Sequence, residues 1–232
     1  MAMIPEILLS KAARARCISN IKELPTFMSA DSPYYIPPDS PEKKQASVLV
    51  PLCVINEEVC LLYTLRSPHL SSHSGQVSFP GGKRDHMETV FDTALRETEE
   101  EIGFPREFVD IWSEMNPIQG RDRKMIITPV VGVLKDFNPK DMKINTDEVV
   151  EAFAVSMGTF CDINNHAHFM YKNLPLPVYL CGKHKIWGIT GMITHLFLSA
   201  FLQSELYNPN FMNKSFQLEE LLPAKLNNLL MY

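Results

Sequence analysis

The chain has 232 residues, 45% of them hydrophobic, and a net charge of −5. That is enough apolar material for one α/β domain with extensions, and the acidic balance offers a nucleic-acid backbone no electrostatic footing. No run of eighteen apolar residues occurs, so no membrane-spanning helix is expected, and five scattered cysteines without a CxxC pair suit a reducing compartment and argue against a thiolate metal site.

In chain order, residues 1–45 read as an N-terminal segment. Met1 to Ile21 sets Lys11, Arg14 and Arg16 against one acid, Glu6, with apolar residues between. Such a stretch is either a mitochondrial presequence or a surface helix that starts the domain. Pro33, Pro37, Pro38 and Pro41 then predict an extended arm. The main domain is placed at 46–203. Ala46 to Ile55 and Val59 to Leu65 are rich in Val, Leu and Cys and predict two strands, joined by a hairpin at Asn56-Glu57-Glu58. The next stretch, Leu61 to Gly82, ends in the turn Phe79-Pro80-Gly81-Gly82, whose glycines allow close backbone approach to a ligand.

Thr89 to Ile102 predicts a helix, because Val90, Ala94, Leu95, Thr98 and Ile102 recur at three- and four-residue steps and Gly103 supplies a stop. Glu97, Glu100 and Glu101 stand at i, i+3 and i+4, which puts three carboxylates on one face. Unpaired, such neighbours destabilise a helix by about 0.2–0.5 kcal/mol per pair. A hard divalent cation turns the repulsion into coordination, and oxygen-only donors favour Mg²⁺ or Mn²⁺. The bland alternative is a solvated acidic face. Arg96, eight residues after Glu88, has the reach to clamp it bidentately.

Further on, Ile126 to Leu134 predicts a strand in which Pro129 suggests an edge or a bulge. Glu148 to Val155, Leu176 to Leu180 and Lys185 to Ile189 complete the strands. Thr190 to Gln203 predicts a second helix, apolar nearly all round and hence buried between layers. Trp187 reads as core or wall rather than as a stacking platform. Residues 204–232 read as a C-terminal extension with a short helix near Leu218 to Leu230. Strands flanking two main helices predict a layered α/β fold, a mixed β-sheet sandwiched between α-helices.

Gly82 to Phe104 fills every fixed position of G-x5-E-x7-R-E-U-x-E-E-x-G-U, with Thr98 at the first U. The stretch resembles the Nudix box. The resemblance implies the Nudix fold and Mg²⁺- or Mn²⁺-dependent hydrolysis of a nucleoside diphosphate linked to another group. It further implies metal binding by Glu97, Glu100 and Glu101, supported by Glu88 and Arg96, with Glu100, Glu101, Glu148 and Arg96 forming the catalytic set. Upstream, Leu62, Thr64, Arg66, Ser67, Gly75, Phe79, Pro80, Gly81 and Gly82 are similar to the signature of the coenzyme A diphosphatase subgroup, while Tyr63 and Ser71 depart from it, Ser71 replacing an arginine. That likeness implies substrate contacts by Arg66, Ser67, Gly75, Phe79, Gly81 and Gly82. His69 and His73 lie near enough in sequence to compensate for the arginine. Asn145 to Glu151 resembles the subgroup's N-x-x-E-V-x-E segment, which makes Glu148 the candidate further ligand or base and Glu151 the runner-up. Lys185 to Thr194 resembles the animal mitochondrial members.

The reaction so implied splits coenzyme A or acyl-coenzyme A into 3′,5′-ADP and (acyl-)4′-phosphopantetheine, with Glu100 or Glu148 as the base that activates water. Other Nudix substrates (ADP-ribose or reduced nicotinamide dinucleotide) and an idle binding module are the alternatives; every box glutamate is present, against the last. A small-molecule substrate, a homodimer and a mitochondrial location follow from the same likeness, with peroxisomal or cytoplasmic placement as alternatives. Asn228 to Tyr232 is not a Ser-Lys-Leu type address.

Overall fold

The computed structural model describes residues 3–24, 44–68, 74–120, 125–171 and 174–222. The Pro-rich arm, Ser71, His69, His73 and most of the expected C-terminal helix lie outside them. In chain order the elements are α1 (Pro5–Leu8), α2 (Lys11–Glu23), β1 (Lys44–Ile55), β2 (Glu58–Arg66), β3 (Val77–Ser78), β4 (Gly81–Lys83), α3 (Val90–Ile102), β5 (Val109–Glu114), β6 (Ile118–Gln119), β7 (Met125–Leu134), β8 (Val149–Ser156), α4 (Met157–Cys161), β9 (His166–Tyr171), β10 (Leu174–Cys181), β11 (His184–Ile186), α5 (Gly188–Phe201), β12 (Ser215–Phe216) and α6 (Leu218–Leu221).

The larger sheet is mixed. β1 pairs antiparallel with β2 and parallel with β7, whose far side carries β5 and β6. Asn56 and Glu57 adopt positive φ (49° and 64°), the mirror-image turn whose twist suits a two-residue hairpin. β8 runs along β2 from Cys60 to Arg66, so β3, which pairs Thr64 with Ser78, takes the opposite side of β2. β1 and β2 therefore separate past Leu52 and Leu61, and residues 77–83 fill the gap, β3 on β2 and β4 on β1.

The strand alternation sorts the core into two layers. Leu49, Cys53, Cys60, Leu62, Val130 and Leu134 meet Ala94 and Ile102 of α3 on one face. Val50, Leu52, Leu61, Tyr63 and Val131 meet Phe197, Ala200 and Phe201 of α5 on the other. This is the expected sheet between helices.

Three features differ from the sequence reading. Pro129 is not on an edge: β7 lies between β1 and β5–β6. It sits opposite the break between those two short strands, its carbonyl accepting from Met115 N–H at 2.8 Å, so the missing N–H points where no ladder partner is needed. A second sheet, β11-β10-β9-β12, packs beside α5 and takes in residues beyond 203. At the other end, Leu8, Cys17 and Ile21 join the α5-side core, and Arg14 bonds Asp110 at 3.0 Å and the Ile111 carbonyl at 2.7 Å. Residues on both sides of 46–203 thus share its core. All five cysteines are free; burial pushes the Cys17 and Cys181 thiols up to about 12.

Candidate active site

α3 begins with Thr89 as N-cap. Its hydroxyl accepts from Asp92 N–H, and the Asp92 carboxylate accepts in return from Thr89 N–H, a closed capping box. The helix ends at Gly103, φ 69°, the left-handed C-terminal cap that glycine adopts without strain. Thr98, buried in the stripe, satisfies its hydroxyl on the Ala94 carbonyl at 2.7 Å.

Arg96 is the hub. Its Nε and Nη2 grip both oxygens of Glu88 at 2.7 and 3.1 Å, Nη1 reaches Glu97 at 2.9 Å and Glu100 at 3.0 Å, and Nη2 also reaches the Lys83 carbonyl at 3.1 Å. The clamp inferred from the eight-residue spacing is present. Glu88 also accepts from Thr93 Oγ1 and from Asp85 N–H. These bonds, Arg96 first, hold its carboxyl down at about 2, while the surrounding carboxylates raise Arg96 itself.

Glu97, Glu101 and Glu148 converge, with one carboxylate oxygen of each within 4.8 Å of the others. Glu101 is 1% exposed. Its carboxylate stands 3.6 Å from Arg66 Nη1 and has Thr64 Oγ1 at 3.5 Å. Burial raises its pKa to about 8; Arg66 opposes the rise, and Glu97 and Glu148 add to it. Burial likewise raises Glu97, against the pull of Arg96. The backbone of β4 crosses so close to Glu97 that a Cβ on Gly82 would displace its carboxylate. Three clustered carboxylates, with no nitrogen or sulfur donor among them, are the donor set of a hard divalent cation.

The structure brings together two of the three box glutamates expected to bind metal, and adds Glu148. Glu100 instead turns to Arg96, with its side chain 50% exposed. Glu151, the runner-up, faces elsewhere and pairs with Lys183 at 2.9 Å, with His184 at 3.5 Å. Arg66 ends β2 beside Glu101. Ser67 N–H donates to the Glu148 carbonyl at 2.7 Å, and Gly75, φ 67°, returns its N–H to the Arg66 carbonyl. Phe79 is buried, stacked on Tyr63 with ring centroids 4.6 Å apart, so it forms floor rather than contact surface. Trp187 caps α5 and meets Phe169 edge-on, a packing role. Thr64, matched to the signature in sequence without a role of its own, stands against Glu101 with its hydroxyl at 3.5 Å. A further open groove of about 510 Å³ lies between β8 and β11, lined by Phe153, Lys183 and His184 among others.

The chain is similar in sequence to known proteins. The NUDIX domain model matches residues 43–176. "Mitochondrial coenzyme A diphosphatase NUDT8" of Mus musculus is 38% identical over 186 residues, 76% of this chain and 84% of that protein. Its Homo sapiens counterpart is 39% identical over 163 residues, 66% of this chain and 67% of that one. "Nudix hydrolase 3" of Caenorhabditis elegans is 30% identical across 89% of this chain and 91% of its own.

Proposed function

Because the chain belongs to the Nudix hydrolase family, we propose that it cleaves the diphosphate bond of coenzyme A or its acyl esters, releasing 3′,5′-ADP and 4′-phosphopantetheine or its acylated form. It is a metal-dependent hydrolase, as the family is generally; Mg²⁺ or Mn²⁺ is the ion we assign, held by Glu97, Glu101 and Glu148. The bound ion supplies stabilisation of the charge that develops on the phosphoryl oxygens. Arg96 holds Glu97 in place and opposes the rise that burial imposes on its carboxyl, and Glu88 keeps Arg96 in place. Glu100, half exposed on the same guanidinium, is the carboxylate we assign to take the proton from the attacking water.

The observation that carries the substrate reading is Arg66. It is the last residue of β2, in the stretch that resembles the coenzyme A diphosphatase signature, and its guanidinium lies 3.6 Å from Glu101. A phosphate entering the carboxylate cluster with a cation meets Arg66 at once, and the planar fork suits phosphate oxygens. The names of the mouse and human relatives point to the same substrate and to the mitochondrion, and a homodimer completes the proposal.

The test is turnover of coenzyme A by purified protein with Mg²⁺ or Mn²⁺, beside ADP-ribose and NADH, with Glu101→Gln as control. Release of 3′,5′-ADP that vanishes in the variant is the expected result. Cleavage of ADP-ribose or NADH alone discards the coenzyme A reading, and cleavage of none favours a binding module. Glu100→Gln is expected to lower kcat while leaving Mn²⁺ affinity intact.

A further inference from the structure

The carboxylate cluster joins residues from two separate segments, and something must hold Glu148 to α3. Backbone bonds do part of this. Lys143 N–H donates to the Ile102 carbonyl at 2.9 Å and Asn145 N–H to the Glu101 carbonyl at 3.0 Å, so residues 143–145 take up carbonyls that the helix end leaves open. The Asn145 carbonyl then accepts from both Glu148 N–H (3.1 Å) and Val149 N–H (2.9 Å), closing a single tight turn over 145–149. One side chain completes it: Asn145 Oδ1 accepts from Asp147 N–H at 3.2 Å. This is the i to i+2 side-chain bond by which asparagine fixes a turn.

We propose that Asn145 is a positioning residue for the cation site: without ligating, it shapes the turn that delivers the Glu148 carboxylate to Glu97 and Glu101. The inference rests on the reading that those three carboxylates hold the divalent ion. Asn145 sits between two of them in both directions, its N–H on the Glu101 carbonyl and its C=O on Glu148 N–H. Alanine at 145 keeps those backbone bonds and removes only the acceptor for Asp147. The turn loses one geometry, and Glu148 loses its fixed distance from Glu101. Aspartate keeps an oxygen at the same place and is expected to rescue.

The experiment measures binding of Mn²⁺ alone by titration calorimetry in the full chain, for wild type, Asn145→Ala, Asn145→Asp, Glu148→Gln and the Asn145→Ala/Glu148→Gln double variant. Residues that orient metal ligands typically cost about 10- to 100-fold in affinity when removed. Asn145→Ala is expected to weaken Mn²⁺ about tenfold, Asn145→Asp to restore it, and the alanine effect to disappear in the Glu148→Gln background. Wild-type affinity in Asn145→Ala overturns the proposal. So does an alanine effect of undiminished size in the double variant, which places its action elsewhere. If Glu148→Gln itself leaves Mn²⁺ affinity unchanged, the three-carboxylate reading fails and takes this inference with it. Asn145→Ser, which keeps a shorter side-chain oxygen, carries the same comparison if the alanine variant does not fold.

Discussion

Burial, with Glu97 and Glu148 adding to it and Arg66 opposing, pushes the Glu101 carboxyl up to about 8 when no metal is bound. The folded value lies above the ordinary 4.5, so the folded state favours the protonated acid. The contribution to stability is therefore complete below about pH 4.5 and is lost as pH rises toward 8. The melting temperature of metal-free protein is expected to fall across that window. Added Mn²⁺ is expected to reverse the fall at pH 8, since the ion takes the place of the proton, and Glu101→Gln to flatten the slope. A metal-free wild type with the same flat profile as Glu101→Gln contradicts this account. Much at this scale was legible in advance. The Glu88–Arg96 clamp follows from a spacing of eight, and Glu97 and Glu101 from i, i+4. The place of Glu148 in the cluster depends on the turn at Asn145, a tertiary fact that helical periodicity does not carry; the swing of Glu100 to Arg96 is an i, i+4 pair of the same helix, and periodicity alone does not choose between that partner and the cluster.

At the level of elements, α3 and β4 fail in different ways when altered, and the difference is measurable. Thr89→Ala opens the capping box, and such caps are worth about 1 kcal/mol; thermal unfolding should register that loss while Mn²⁺ affinity stays unchanged. Gly82→Ala sets a methyl against the Glu97 carboxylate. Calorimetry should show cation affinity down about tenfold, as for other losses of ligand orientation, with a smaller change in melting than Thr89→Ala. The reverse pattern sinks the assignment of Gly82 to the site. The hairpin, α3 and α5 were readable from their periods. β9 was not: in His166-Ala-His-Phe-Met-Tyr171 two buried histidines stand where a strand pattern shows apolar residues. They fit because the His166 ring bonds the Phe160 carbonyl at 2.7 Å and the His168 ring the Phe211 carbonyl at 2.8 Å, partners that local sequence does not announce.

For the molecule as a whole, the N-terminal helices close over the α5-side core. Leu8, Cys17 and Ile21 pack with Trp112 and Phe201, and the Arg14 guanidinium lies 5.8 Å from the Trp112 ring centre while it binds Asp110. Burying an aliphatic side chain of that size contributes about 1.5–3 kcal/mol, so a chain lacking residues 1–24 should lose at least about 3 kcal/mol from Leu8 and Ile21 together. Chemical denaturation measures this. An unchanged midpoint would mean that the segment is a detachable leader, the presequence reading of its basic, acid-poor composition. Composition alone left both readings open, because a basic amphipathic stretch looks the same whether its apolar side meets a receptor or α5.

The partner of that helix is made late. Asn20 donates to the Ala200 carbonyl at 3.0 Å across 180 positions of chain, and β1 finds its parallel neighbour only when Met125–Leu134 exists. During synthesis from the N-terminus, residues 3–24 accordingly emerge long before the surface they cover. For most of translation this positively charged, half-apolar stretch is open to any factor that reads nascent chains, and completion of α5 withdraws it. The exposure of this segment therefore has a fixed end point in synthesis, set by the chain position of its partner and not by its own sequence.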